Sequence, residues 1–286
     1  MTYEGAVLVG IDENEPNVAL LRWAAEEAVA RKTRLVVCHV LEWASGTYPP
    51  APVYGDITPE LRTGPERIVG AAVDWVKAEY PDLDAVGVIG PGSPSRVLLN
   101  LSGAAAMVVV GARGTGGFPG LLLGSVSAQV AVHAHCPVAI VHAIGTGATD
   151  VVVGVDGSEE SQRALELGLA EARRTGGSLV ALHAYQLPPT AASYGVDWGT
   201  DTVSFHWMAE RTLDKALGDV AERNPDVKIE RRVAHGPVAR VLLAESEGAA
   251  ALVVGARGLG GFAGLIAGSV SQQVMRHARC PVLIAH

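Results

Sequence analysis

Cysteine, basic charge and long apolar runs are all in short supply in this chain. Three cysteines stand among 286 residues, with no C-x-x-C pair, a pattern that points to a reducing compartment. Lys and Arg number 22 against 30 Asp and Glu, a formal charge of −8. No basic cluster offsets that balance, so nucleic acid is excluded as the main partner, because a phosphate-backbone binder needs a basic face. The longest apolar runs, such as GAAAMVVVGA from Gly103, fall well short of the ~20 residues of a membrane helix. No basic-plus-apolar leader precedes a small-residue cleavage site. Together these features predict a cytoplasmic protein with no membrane partner. Lysine is missing from the one place where a P-loop would need it, after Gly124, and neither a Ser/His/Asp order nor a metal-ligand spacing is visible.

What the chain does have, it has twice. A shift of 144 residues lays Asp12 on Asp156, Arg96 on Arg240 and Cys136 on Cys280. The densest match pairs GARGTGGFPGLLLGSVS from Gly111 with GARGLGGFAGLIAGSVS from Gly255. The repeat predicts two domains, residues 1–143 and 150–286, joined by a linker over 144–149. A unit of this size buries roughly 68–70% of its unfolded surface, enough for a core of its own.

Each half opens with an apolar run, AVLVGID and VVVGVD, and continues with LVVCHVL or LVALHAY, MVVVG or LVVG, and PVAIVH or PVLIAH. Consecutive rather than alternating apolar residues mark strands buried on both faces of a parallel sheet. Helical spacing fills 17–31, 59–79, 94–102 and 125–134, and in the second half 161–173, 203–222, 238–246 and 269–278. Strands alternating with helices predict an α/β fold: two tandem Rossmann-like domains, each a five-stranded parallel sheet flanked by helices. The connections 42–58 and 186–202 are long, and Tyr54 and Trp198 fall on matching positions where they either cover a bound ring or pin the loop. Cys136 and Cys280 precede Pro137 and Pro281, where a packing role outweighs redox chemistry.

The glycines of the matching segment stand as G-x-x-G, nine residues, G-S: Gly111, Gly114, Gly124–Ser125, and Gly255, Gly258, Gly268–Ser269. Each segment leaves a buried strand and enters a helix whose unpaired N–H groups and partial positive charge attract an anion such as phosphate. Glycine there serves a close approach of main chain to ligand, or a positive φ. Ser125 and Ser269 either cap the helix or donate to a phosphate oxygen. The dinucleotide fingerprint is met formally by Gly258, Gly260 and Ala263, but the loop follows the fourth strand rather than the first, and Pro119 breaks the pattern in the first copy. Asp12 and Asp156 end the first strands, placed to face the glycine loop of their own half and reach a ribose hydroxyl, a base amine or Mg²⁺; capping of the next helix is the alternative. Glu13 and Glu15 add negative charge beside Asp12, which predicts a weaker anion site in the first half. His133 recurs as His277 while His135 does not, a pattern better explained by a helix C-terminus or a buried polar group than by a metal.

With these motifs, the chain resembles tandem-domain universal stress proteins of the ATP-binding class. The resemblance implies ATP with Mg²⁺ in each pocket, held in the first half by Gly10, Ile11, Asp12, Val40, Val110, Gly111, Arg113, Gly114, Gly124, Ser125 and Val126. In the second half it implies Gly154, Val155, Asp156, Ala184, Val254, Gly255, Arg257, Gly258, Gly268, Ser269 and Val270. Asp12 and Asp156 would meet the metal through the nucleotide, and the main chain at Val40 and Ala184 would hold adenine. The resemblance further implies pairing of domains through their last strands, a homodimer, an unidentified protein partner, and a regulatory role in stress adaptation or dormancy. Two other readings stay open at this point: a slow ATP hydrolase or nucleotidyl transferase on the same fold, and a dimeric scaffold that binds nothing.

Overall fold

A computed structural model describes residues 3–13, 17–41, 59–114, 122–142, 147–186, 198–259 and 268–286, the side chains of 59–62 and 198–202 excepted. The chain divides into two compact units, Met1–Val141 and His142–His286. In the first unit β1 (Val7–Ile11), α1 (Val18–Ala30), β2 (Leu35–Leu41), α2 (Pro59–Glu79) and β3 (Ala85–Pro91) are followed by α3 (Pro94–Ser102), β4 (Met107–Gly111), α4 (Ser125–His133) and β5 (Val138–Val141). The second unit runs β6 (Val151–Gly154), α5 (Glu159–Thr175), β7 (Leu179–Tyr185), α6 (Trp198–Leu217), α7 (Val220–Arg223) and β8 (Ile229–His235). It closes with α8 (Val238–Glu245), β9 (Ala251–Gly255), α9 (Ser269–His277) and β10 (Val282–Ala285).

Within each unit the strands are parallel, in the order β3-β2-β1-β4-β5 and β8-β7-β6-β9-β10. The central strands are apolar at consecutive positions because helices cover both faces of the sheet. Val7, Leu8 and Val9 are at most 2% exposed, as are Val151, Val152 and Val153; each such side chain contributes about 1.5–3 kcal/mol by leaving water. Pro137 and Pro281 lie just before their strands, where only the carbonyl is needed: it accepts from Val108 N–H at 3.0 Å and from Leu252 N–H at 2.9 Å.

Two features differ from the periodicity reading. The third strands, β3 and β8, are only patchily buried: β3 is apolar throughout, AVGVIGP, yet only partly covered, and β8 interrupts its apolar residues with charge and places Arg231 and Arg232 in the open. Both lie at a sheet edge, where only part of the strand needs covering. The helix expected over 203–222 begins earlier, at Trp198, and stops at Leu217; Gly218 takes φ +45° and a short α7 follows.

The topology decides where a ligand can sit. From β1 the chain moves outward through β2 to β3, then returns past β1 to lay β4 on its other side; β6, β7, β8 and β9 do the same. That reversal leaves a crevice beyond the carboxyl ends of β1 and β4, and of β6 and β9.

Candidate functional site

At the crevice of the second unit Asp156 stands two residues past the end of β6. Its Oδ1 accepts from Ser158 N–H at 2.9 Å and from Ser158 Oγ at 2.5 Å; its Oδ2 accepts from the main-chain N–H of Leu259 at 2.9 Å. Burial works to raise the pKa of this carboxyl, but the bonds from Ser158, Leu259 and Ser161 outweigh it and hold the group below the ordinary carboxylate range. One carboxylate thus ties the first strand to the glycine loop 103 residues on. In the first unit Asp12 directly follows β1, and a Cβ built on Gly114 would meet its Oδ2 at 3.4 Å.

The described loop glycines all have ordinary φ, since none of the positive-φ glycines belongs to the motif. Close approach is therefore what demands glycine at Gly255 and Gly258, whereas at Gly111, Gly114, Gly124 and Gly268 the nearest atom would stand 3.4–3.5 Å from a Cβ, an ordinary contact. A Cβ on Gly258 would fall inside 3.0 Å of Asp156 Oδ2, a distance real Cβ atoms essentially never show. On Gly255 it would stand 2.8 Å from Glu160 Cβ and 2.9 Å from Arg257 O.

The far end of the loop is pinned beside its start. Gly124 N–H donates to Ala112 O at 2.8 Å, and Gly268 N–H to Ala256 O at 3.0 Å. Gly124 and Gly268, both with extended backbone and no side-chain cap bond, are the N-caps of α4 and α9. Of the two roles open to Ser125 and Ser269, capping is excluded: each is the first helical residue, exposed at the helix mouth. Capping by the aspartates is also ruled out. Asn17 caps α1, accepting from Leu20 N–H at 3.2 Å, and Ser158 caps α5, accepting from Ser161 N–H at 3.1 Å.

The other expected residues fall around the same strand ends. Gly10 and Gly154 turn their bare faces toward Leu98 and Leu242 of α3 and α8. Ile11 and Val155 offer carbonyls to His39 Nδ1 at 3.2 Å and His183 Nδ1 at 2.6 Å; since a carbonyl only accepts, the proton sits on Nδ1. Val40 is buried at the end of β2, and Ala184 half-buried at the end of β7. Val110 and Val254 are buried in β4 and β9, while Val126 and Val270 are half-buried in the first turns of α4 and α9. Arg113 is exposed; Arg257 lies 3.8 Å from Glu160, an exposed contact of small energetic weight. Glu13 is exposed, while Glu15 and Tyr54 fall outside the described residues, and Trp198 is described only as the first residue of α6.

Sequence reasoning passed over two repeated pairs: His39/His183, and Ser127/Ser271, whose hydroxyls bond the main chain at the loop's base. The signal was recurrence at the 144-residue shift. His133 and His277 end α4 and α9 in the open, in keeping with a helix C-terminus and not with burial. Among the described residues no group of three His, Cys, Asp or Glu is arranged to hold a metal. Cys38, Cys136 and Cys280 are buried free thiols; burial pushes Cys38 to about 12 and Cys136 to about 11, which fits packing rather than redox chemistry.

The universal stress protein family profile matches residues 5–142 and again 148–286. The chain belongs to the universal stress protein family. Among its relatives, universal stress protein Rv2623 of Mycobacterium tuberculosis is 36% identical over 289 residues, which span 98% of this chain and 95% of the relative. Universal stress protein Rv2005c of the same organism is 33% identical over 287 residues, 98% and 96% of the two chains. The crystal structure of a universal stress protein from Archaeoglobus fulgidus covers 98% of this chain and 97% of its own, with a TM-score of 0.70 at 22% identity, a likeness of fold. The tandem arrangement of universal stress protein domains is thus shared along the whole length. Among the described residues no helix is long and apolar enough to cross a membrane.

Proposed function

We propose that this universal stress protein binds adenine nucleotide, ATP with Mg²⁺, at a site in each domain and acts as a nucleotide-sensing regulator of stress adaptation or dormancy in the cytoplasm. The observation that carries the reading is the doubled glycine loop, lying within reach of the first-strand aspartate in each unit: Leu259 N–H donates to Asp156, and Gly114 stands beside Asp12. The donor set fits the group. In the second unit the main chain at Gly255 and Gly258 approaches its neighbours closely enough to exclude a Cβ, and the Asp156 carboxylate is held ionised at neutral pH; in both units an exposed serine stands at the helix mouth, of α4 or α9. Main-chain N–H groups and helix N-termini suit phosphate. Asp12 and Asp156 suit a ribose hydroxyl or a cation carried in on the phosphates.

In this reading the base lies against main chain at Val40 and Ala184, with Gly10, Ile11, Gly154 and Val155 below the ribose. Gly111, Arg113, Gly114, Gly124, Ser125 and Val126, with Gly255, Arg257, Gly258, Gly268, Ser269 and Val270, surround the phosphates. Bound ATP supplies a charge whose presence or absence a partner protein can read. Pairing through the closing strands β5 and β10, within one chain or in a homodimer, gives that signal a route between sites. Each of these strands lies at the end of its own unit's strand order, and a strand edge is a template for another strand.

The test is to denature the purified protein, identify any released nucleotide by chromatography, and titrate stripped protein with ATP and Mg²⁺ by calorimetry. Saturable binding is expected. A folded chain that stays silent in the titration returns the molecule to a scaffold role.

A further inference from the structure

We infer that Ser127 and Ser271 are positioning residues for the phosphate end of the two sites, an inference that rests on the nucleotide-binding reading above. Both lie in the first turn of their helices, three residues past the capping glycine, and are only 5% and 3% exposed. Ser127 Oγ donates to Gly111 O, the last residue of β4, at 2.6 Å. Ser271 Oγ is shared between Ala256 O at 3.0 Å and Gly268 O at 2.8 Å. The acceptor shifts by one residue between the copies, yet the consequence is the same: the hydroxyl ties the start of the helix to the strand end from which the glycine loop departs.

A second bond runs beside each, from Gly124 N–H to Ala112 O and from Gly268 N–H to Ala256 O. The loop therefore leaves and returns through a neck closed by two hydrogen bonds, one main-chain and one from the serine. Packing of Val130, Ala131, Val274 and Met275 orients the bodies of α4 and α9, while at the neck itself the main-chain bond fixes one distance only. The serine adds the second contact and holds the glycine main chain and the helix mouth in one arrangement. Preorganised donors favour an anion because no ordering remains to be done on binding. Ser125 and Ser269, two residues earlier, point outward at the same mouth and are exposed, so the two serines of each G-S-V-S sequence have separate tasks.

The experiment uses the full chain, stripped of nucleotide, with Ser127→Ala/Ser271→Ala and Ser127→Thr/Ser271→Thr double variants. The probes are ATP with Mg²⁺ and adenosine, which reaches the strand ends without phosphates. The alanine pair should lose about tenfold or more in ATP affinity, as expected for a severed buried hydrogen bond, with adenosine affinity within about twofold of wild type. The threonine pair keeps the hydroxyl and should recover ATP binding. Equal losses for ATP and adenosine, or threonine variants no better than alanine, would mean the serines only support the fold and would overturn the inference. Unchanged ATP binding by the alanine pair would overturn it as well. Failure of the wild-type chain to bind ATP is a distinct result, which removes the nucleotide reading itself and the inference with it.

Discussion

Gly114 and Gly258 occupy the same place in the motif, but the structure sets different consequences for the same substitution. At Gly258 an added Cβ falls inside 3.0 Å of Asp156 Oδ2 and 3.5 Å from its Cγ; at Gly114 the nearest atom, Asp12 Oδ2, is 3.4 Å away. Asp156 cannot swing aside freely, because Ser158 N–H, Ser158 Oγ and Leu259 N–H all hold it. Gly258→Ala must therefore break the Leu259 contact or drag the loop outward. A hydrogen bond to a charged group is worth about 1.5–3 kcal/mol, or roughly 10- to 150-fold in an equilibrium constant. The Gly114→Ala methyl meets an ordinary contact at φ < 0, so its effect should stay within about 0.5 kcal/mol, near twofold. Calorimetric titration of each stripped variant with ATP and Mg²⁺ reads the affinities, and urea denaturation reads the stability. Gly258→Ala should lose one site, or most of its affinity, together with about 1–3 kcal/mol of stability. Equal behaviour of the two variants, or greater damage from Gly114→Ala, would refute the steric argument and show that the loop accommodates a methyl in both halves.

The depressed pKa of Asp156 carries a pH dependence of definite sign: its stabilisation is present above the unfolded carboxyl value and is lost as pH falls through the lower folded value. Acid titration of stability should thus show a component that disappears in Asp156→Asn, and persistence of that component would disprove its assignment. Asp156→Ala should weaken the second site more than Asp12→Ala weakens the first, where Glu13 already opposes an anion; calorimetry on the two variants decides the order. The three thiols should resist alkylation at neutral pH in the folded protein and react fully in denaturant, because burial keeps them protonated; rapid native labelling would contradict this. If β5 and β10 each pair with another strand, hydrogen exchange should find every amide of Val138–Val141 and Val282–Ala285 protected. A free outer edge would leave alternate amides exchanging as fast as free termini.

The repeat, the order of alternating elements and the parallel central strands were legible from residues alone, because strands buried on both faces write unbroken apolar runs and amphipathic helices write a 3.6-residue period. Local chemistry was partly legible as well: a G-S sequence leading into a helical period marks a helix start. Which residue caps the helix was not, because Gly124 and Gly268, rather than the serines, carry the extended backbone. The third strand of the second half was silent for a physical reason: at an edge, half-covered, β8 needs no apolar run and places two arginines in the open, whereas β3, at the matching edge, is apolar but only patchily buried.

What only the tertiary structure decided is which distant groups meet. Leu259 lies 103 residues from Asp156, His39 lies 28 from Ile11, and Ser127 lies 16 from Gly111. No periodicity records such pairs, since each forms only when parallel strands bring their carboxyl ends together. The spacing of the glycines announced a constraint without naming it: a positive φ and a close neighbour both select glycine. The folded chain resolves that ambiguity at Gly258, where the neighbour is the carboxylate of Asp156 and the room left for a side chain is none.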